Sequence, residues 1–153
     1  MDHAAELSRA FIAAFNRRDR DAMWALLDPD VHYQVGGATS FSGIPAVQTY
    51  YTKSLASDAQ AETVSIVGTA DVIFVENRII GTLPDGRSYS IEQAVRHRWK
   101  DGLLTEYRNY NDPPAVEGEP VTLEEFMAIM TGASEPGQVQ ETKGPSGVPD
   151  ITR

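Results

Sequence analysis

Four polar side chains fall where this sequence predicts the interior of a sheet: Tyr33, His97, Tyr107 and Asn109. An imidazole can act as a general acid or base because its ordinary pKa lies near neutrality. The Tyr33 phenol and the Asn109 amide can polarise a carbonyl or orient a hydroxyl or a water molecule. Together they suit proton shifts, enolisation or elimination of water. They suit ester or epoxide hydrolysis less well, since no buried carboxylate accompanies them.

Composition excludes several other kinds of chemistry. The 153 residues contain no cysteine, 13 Lys and Arg, and 22 Asp and Glu, for a formal net charge of −9. We therefore expect no disulfide, no thiolate metal site and no cysteine nucleophile. The acidic balance argues against a nucleic-acid groove or an anionic membrane surface. No metal-ligand spacing or Gly-rich phosphate loop is found, so we predict no metal and no cofactor.

Three N-terminal helices are predicted from apolar periodicity. The first carries one stripe of apolar residues at helical spacing between Leu7 and Phe15. A second, short helix holds Met23 to Leu27 and is expected to stop at Asp28-Pro29. The third begins near Pro45, which favours a first helical turn, and presents Tyr51 on its apolar face.

Strands are predicted from residue 31 onward. Val31–Val35 alternates and places Val31, Tyr33 and Val35 on one face. After the third helix the period changes to two, and strands are expected at Glu62–Val67, Val72–Leu83 and Ser88–Lys100. In the last of these the even positions are solvent-like, so the odd positions from Tyr89 to Trp99, including His97, face inward.

The register of the last hairpin, which turns at Asp101-Gly102 into Leu103–Asp112, has two alternatives. A two-residue loop pairs Trp99 with Leu104 and His97 with Glu106. A three-residue loop pairs His97 with Thr105 and Val95 with Tyr107. The second alternative keeps three charged side chains outside, and we prefer it because burying charge is costly. It turns Leu104 outward.

The remaining predicted pocket wall is apolar and aromatic, since large aromatic side chains contribute mainly through burial. The substrate-binding set is Phe15, Trp24, Val35, Tyr51, Phe74, Val95, Trp99 and Tyr107. Arg78 is expected on the outer surface, as are His3 and His32.

The composition changes at Pro113-Pro114. We predict a cone-shaped α+β domain over residues 1–112 and an acidic, Pro/Gly-rich C-terminal arm over residues 113–153. Thr122-Leu123-Glu124-Glu125 matches a capping box, which predicts a short amphipathic helix over 122–131. That helix is expected to close the mouth of a pocket, to cross to a partner subunit, or simply to pack on the sheet.

No apolar run approaches the length of a membrane span, and the first residues lack the pattern of a secretory signal. We therefore expect a cytoplasmic protein without membrane contacts.

The order of helix, helix, strand, helix and long antiparallel strands predicts an α+β fold with a curved antiparallel sheet. The residues that carry a family resemblance are FNRRDRDAMWALLDPDVHYQVGG, FSGIPAV, VENRIIGTLPDGR and VRHRWKDGLLTEYRNYNDPP. Over about residues 5–114 the chain resembles the nuclear transport factor 2-like superfamily, nearest its SnoaL-like polyketide cyclase branch. The resemblance implies a cone covered by three helices, a pocket for small apolar molecules, and a homodimer.

Catalytic positions of that superfamily are only partly matched. Ketosteroid isomerases use a Tyr and two Asp where this chain has Phe11, Gln34 and Val95. SnoaL-type aldol cyclases use a His and an Asp at the positions of Val95 and Asn109. Asn109 thus stands where relatives have an acid, which can preserve binding while losing catalysis.

Two other branches share one position, Tyr33. Scytalone-type dehydratases place a Tyr there. Limonene epoxide hydrolases use five catalytic positions, which correspond in this chain to Tyr33, Val35, Arg78, Ile80 and Asn109. This chain retains the family residue at two of the five, and the acid–base carboxylates are not among them.

The resemblance and the candidate residues together predict a cofactor-independent acid–base enzyme: a cyclase, isomerase or dehydratase. Its substrate would be an apolar oxygenated compound of polyketide, terpenoid or steroid type, with Tyr33, His97 and Asn109 as catalytic residues. The alternative is a non-catalytic small-molecule-binding or dimerisation module of the same fold, because the family carboxylates are missing from their expected positions.

Overall fold

A computed structural model of the chain describes residues 2–37 and 39–132. The helices are α1 (Asp2–Asn16), α2 (Arg20–Ala25), α3 (Ile44–Ala56) and α4 (Leu123–Met130). The long strands are β1 (Leu27–Val35), β3 (Gln60–Gly68), β4 (Val72–Thr82), β5 (Ser88–Lys100) and β6 (Leu103–Asn111), and the short ones are β2 (Thr39–Ser42), β7 (Ala115–Val116) and β8 (Glu119–Pro120). No described helix is long and apolar enough to cross a membrane.

The strands form one curved, unclosed sheet in the order β2-β1-β6-β5-β4-β3, and the predicted α+β fold is confirmed. One pairing differs from an all-antiparallel sheet, because β1 and β6 run parallel. They are joined by residues 36–102 rather than by a hairpin, so no tight turn forces them to be antiparallel. The core lies between the inner face of this sheet and helices α1, α2 and α3.

Helix α1 buries the predicted apolar stripe, with Phe11 and Ala14 almost fully enclosed. Asp19 caps the N-terminus of helix α2, because its carboxylate accepts a hydrogen bond from the backbone N–H of Ala22. It ends earlier than predicted, and β1 starts at Leu27 instead of Val31. The extra residues include Pro29, which the strand tolerates because its pairing with β6 is irregular between Leu27 and His32.

A bulge in the β5–β6 hairpin combines features of both predicted registers. Asp101 and Gly102 both have positive φ, at 52° and 80°, and form a two-residue turn that pairs Trp99 with Leu104. The register then shifts, so that His97 pairs with Tyr107. The preferred three-residue loop is therefore wrong, and so is the outward Leu104, which is fully buried.

The bulge arises because Leu104, Tyr107 and Asn109 must all face inward, which a strict period of two does not allow. The bulge lies at Thr105, whose hydroxyl donates to the carbonyl of Arg98. Glu106 stays outside, as predicted, and pairs with Arg96 and Arg98.

The described part of the C-terminal arm packs on the body. Strand β7 pairs with the start of β5 through Tyr89 and Val116, and the ring of Phe126 meets the ring of Tyr89 at a centroid distance of 5.1 Å. Helix α4 has the predicted capping box, with Thr122 and Glu125 exchanging side-chain to backbone hydrogen bonds. The rest of the arm, 133–153, lies outside the described residues.

Tyr89 lies directly across from Gly81, and a Cβ added at that glycine would come within 2.7–2.8 Å of the Tyr89 ring and hydroxyl. We predict that Gly81→Ala lowers the free energy of unfolding by about 1–3 kcal/mol, because the ring that supports Phe126 must shift. Urea unfolding followed by circular dichroism measures this. In a Tyr89→Ala background the same substitution should cost much less; an equal cost there would contradict the steric explanation.

Candidate functional site

The interior of the cone contains a cavity between α1 and the inner face of the sheet. It is lined by one helical layer and by strands β3, β4, β5 and β6. The lining residues are Phe11, Ile12, Phe15, Tyr51, Ala61, Asn77, Ile79, Gln93, Val95, His97 and Tyr107.

The cavity is small. Its empty space is about 400 Å³ including the opening, which is near the lower end of the range for ligand pockets. The cavity therefore suits a small ring, and a larger ligand would require the side chains around it to move.

A buried hydrogen-bond chain connects α1 to β5. The Trp99 indole Nε1–H donates to Ser8 Oγ at 2.9 Å, and the same oxygen lies 2.8 Å from His97 Nδ1. Ser8 and His97 are both almost fully buried. With Nδ1 engaged by Ser8, Nε2 is the ring nitrogen available to a ligand in the cavity.

Burial keeps the His97 imidazole uncharged. Loss of hydration lowers the pKa of His97 from its ordinary 6.5 to about 3. Its neighbours are the rings of Phe11, Trp99 and Tyr107, which supply no negative charge to stabilise an imidazolium. At neutral pH, His97 is thus a neutral hydrogen-bonding group.

Three buried tyrosines form a cluster that meets His97 through Tyr107. Tyr33 stacks on Tyr107 with ring centroids 4.1 Å apart, and its hydroxyl lies 2.9 Å from that of Tyr51. Burial raises the pKa of all three phenols well above the ordinary value of 10. They therefore remain protonated and can donate hydrogen bonds. Tyr51 and Tyr107 line the cavity, whereas Tyr33 does not.

Asn109 has a structural partner. Its Oδ1 accepts a hydrogen bond from the backbone N–H of Gly36 at 3.0 Å, which ties the end of β1 to β6. Gly36 has a positive φ of 59°. Asn109 is buried but is not among the residues that line the cavity. Its amide holds a turn in place.

An amide pair occupies the part of the cavity away from His97. Asn77 on β4 and Gln93 on β5 are directly paired, and both line the cavity. Asn77 is 4% exposed, and its Oδ1 accepts from the Thr63 hydroxyl. The Asn77 amide N–H groups are left as donors for the cavity. Every polar group that lines the cavity is therefore neutral.

The predicted site residues separate into those that line the cavity, those that lie behind its lining, and one, Phe74, that lies on the outer face of the sheet. His97, Tyr107, Tyr51, Val95 and Phe15 meet at the cavity. A second group lies behind these and is buried or half-buried without lining the cavity: Tyr33, Asn109, Trp99, Trp24 and Val35.

Phe74 was predicted in the pocket wall, and that prediction is wrong. Its side chain is 41% exposed on the outer face of β4, because the inward positions of this strand are the odd ones, such as Ile73 and Val75. Both faces of the strand are apolar, so the sequence does not indicate which of them points into the core. Arg78 lies outside as predicted and pairs with Glu92.

Sequence reasoning missed two polar residues of the site, Ser8 and Asn77. Ser8 had a detectable signal, because it lies three residues before Phe11 and seven before Phe15, on the buried stripe of α1. A small polar residue on such a stripe must find a buried partner. Asn77 lies on the strand whose direction the pattern left open.

Acidic and metal-binding groups are missing from the cavity lining. In the part of the chain that the structure describes, no group of three or more His, Asp or Glu residues is arranged to hold a metal ion. The polar side chains that line the cavity can donate and accept hydrogen bonds as neutral groups.

The profile of the SnoaL-like domain family matches residues 8–107, which is most of the described chain. The protein belongs to this family. The match contains β1, β3, β4 and β5 in full and ends within β6, and it includes every residue that lines the cavity. Among curated proteins, none matches the sequence.

Several solved structures share the fold. An NTF2-like protein of unknown function from Burkholderia pseudomallei is 18% identical, with a TM-score of 0.68, and the match covers 86% of this chain and 99% of that one. The epoxide hydrolase/cyclase-like enzyme SalBIII of salinomycin pyran ring formation is 14% identical, with a TM-score of 0.67, covering 71% and 90%. RV0760c from Mycobacterium tuberculosis, in complex with estradiol-17beta-hemisuccinate, is 18% identical, with a TM-score of 0.64, covering 71% and 92%. At these identities the similarity shows the fold.

Burial of neutral His97 predicts a specific pH dependence of stability. Between about pH 6.5 and pH 3 the unfolded chain binds a proton at this residue and the folded chain does not, so acidification favours unfolding. The free energy of unfolding should fall by up to about 1.4 kcal/mol per pH unit from this residue alone. Urea titrations of the wild type and of His97→Asn at pH 7, 6 and 5 isolate the effect. The wild type should lose more stability on acidification than the variant; parallel losses would contradict it.

Proposed function

We propose that this protein binds a neutral, apolar, oxygenated small molecule in the interior cavity and performs a cofactor-independent acid–base reaction on it. The reaction class is cyclisation, isomerisation or dehydration, each of which can begin with loss of a proton next to a carbonyl. His97 is the central group, and the Tyr51 and Tyr107 hydroxyls assist it as hydrogen-bond donors. Ligand compounds of polyketide, terpenoid or steroid type have the required character.

One observation carries this proposal: an imidazole lies against a cavity with one nitrogen held by Ser8 and the other free. A histidine that serves only packing would have no need of a cavity beside it. The neutral donors around a carbonyl oxygen would stabilise the negative charge that develops there when an adjacent C–H ionises. The cavity lining holds no carboxylate, so the proton would pass to a base from the solvent, such as a hydroxide ion or a buffer anion.

The comparisons lend support of a coarser kind. SalBIII is described as an epoxide hydrolase/cyclase-like enzyme, and RV0760c was solved with a steroid derivative bound. Both have the same fold as this chain. A reaction on, or binding of, a multi-ring or ring-forming compound is therefore within the range of its structural neighbours.

A second function, binding without catalysis, is favoured by a specific observation. No Asp or Glu is among the eleven cavity-lining residues, and Asn109 is engaged with the Gly36 backbone. Without a carboxylate as base, the cavity retains its recognition groups and has fewer catalytic ones. The same test separates the two functions.

Cyclohexanone is a suitable probe, because it is neutral, matches the small cavity and exchanges its α-protons on enolisation. Deuterium incorporation in D2O at pD 7, followed by proton NMR, measures enolisation directly. We predict that the wild type accelerates exchange over buffer and that His97→Asn reduces the acceleration about 100-fold. Phe74→Leu is the matched control, since Phe74 lies on the outer face and should leave the rate unchanged.

The outcomes discriminate clearly. Binding of cyclohexanone without accelerated exchange would contradict catalysis and support the binding module. Acceleration that persists in His97→Asn would contradict the role of His97. If the protein neither binds cyclohexanone nor accelerates its exchange, the proposal of a neutral ketone ligand at the cavity is contradicted.

A further inference from the structure

The direction of the hydrogen bonds around Ser8 can be worked out from the chemistry of its partners. An indole nitrogen only donates, so Ser8 Oγ accepts from Trp99 Nε1–H. One lone pair of Ser8 Oγ therefore accepts the indole hydrogen of Trp99. The hydroxyl hydrogen of Ser8 still needs an acceptor.

That hydrogen has a clear acceptor. A buried hydroxyl must donate its proton to some partner, because an unpaired buried donor is costly. Thr49 and Thr52 on α3 donate to the backbone carbonyls four residues earlier, Pro45 and Gln48. Ser8 is oriented differently, toward His97 Nδ1 at 2.8 Å. Donation from Ser8 to Nδ1 satisfies both groups.

We infer that Ser8 is a positioning residue that holds His97 in the tautomer with its hydrogen on Nε2, so that the imidazole offers a hydrogen-bond donor to the cavity. This inference rests on the proposed function and specifies the ligand group that His97 meets. That group is an acceptor oxygen, such as a ketone carbonyl.

The tautomer narrows the substrate class. A neutral imidazole with hydrogen on Nε2 polarises a carbonyl and stabilises an enolate oxygen, and it cannot accept a proton at that nitrogen. The low pKa of His97 keeps the imidazole uncharged throughout the neutral range, and Ser8 selects between its two tautomers. The Asn77 amide adds a second neutral donor at the cavity. The ligand is therefore an uncharged compound with acceptor oxygens, and a compound that binds as a carboxylate does not match the site.

The test is nitrogen NMR of the full chain labelled with 15N-histidine at pH 7. The three histidines are His3, His32 and His97, and the signals missing from His97→Asn identify those of His97. In a neutral imidazole the nitrogen that carries hydrogen and the one that does not have widely separated shifts, and their couplings to the ring protons assign each of them. We expect Nε2 of His97 to carry hydrogen and Nδ1 to lack it.

Two variants test the contribution of Ser8. Ser8→Ala removes the donor to Nδ1 and should replace the single tautomer by a mixture. Trp99→Phe keeps a ring and removes the indole donor, but the Ser8 hydroxyl hydrogen still has Nδ1 as its acceptor, so this control should retain the single tautomer. A retained single tautomer in folded Ser8→Ala would overturn the positioning role. If Ser8→Ala does not fold, the wild-type spectrum decides, because hydrogen on Nδ1 of His97 would overturn that role.

The failure of this inference differs from the failure of the proposed function. Hydrogen on Nδ1 in the wild type would overturn the tautomer assignment, while ketone exchange that depends on His97 would still support the acid–base enzyme. Conversely, the expected tautomer combined with no His97-dependent exchange would leave Ser8 in its positioning role and remove catalysis.

Discussion

The buried hydrogen-bond chain from Trp99 through Ser8 to His97 is the interaction on which the site depends. It joins the first helix to the longest strand across the core, and it satisfies three polar groups that are almost fully buried. An unpaired imidazole at this depth would be costly to bury. Because Ser8 supplies the partner, the protein can keep a histidine beside a cavity and leave one ring nitrogen for a ligand.

A second constraint is the neutrality of the interior. Burial lowers the pKa of His97 and raises those of Tyr33, Tyr51 and Tyr107, so all four groups are uncharged near pH 7. The charged side chains of β5 and β6 lie on the outer face, where Arg96 and Arg98 meet Glu106. The sheet thus separates a charged exterior from a pocket lined by neutral side chains.

The sequence was most informative where its period was clear. Alternation in Ser88–Lys100 placed His97 and Val95 inside, and the capping box marked the start of α4. It was least informative where a local irregularity changes the facing of side chains: the bulge at Thr105 buries both Leu104 and Tyr107, and no simple repeat encodes it. Phe74 was misplaced because both faces of β4 are apolar. The hydrogen bond between Ser8 and His97 joins residues 89 positions apart in the sequence, so no local pattern could predict it. The homodimer stays a prediction.

His97 lies buried beside the cavity, and its imidazole is neutral. Titration of the His97 ring-proton NMR shifts between pH 8 and pH 4.5 tests this protonation state. The structure predicts that these shifts stay constant over the whole range, since the pKa of His97 is lowered by burial to about 3. A full titration of His97 with a midpoint near 6.5 would contradict a desolvated imidazole and, with it, the neutral pocket.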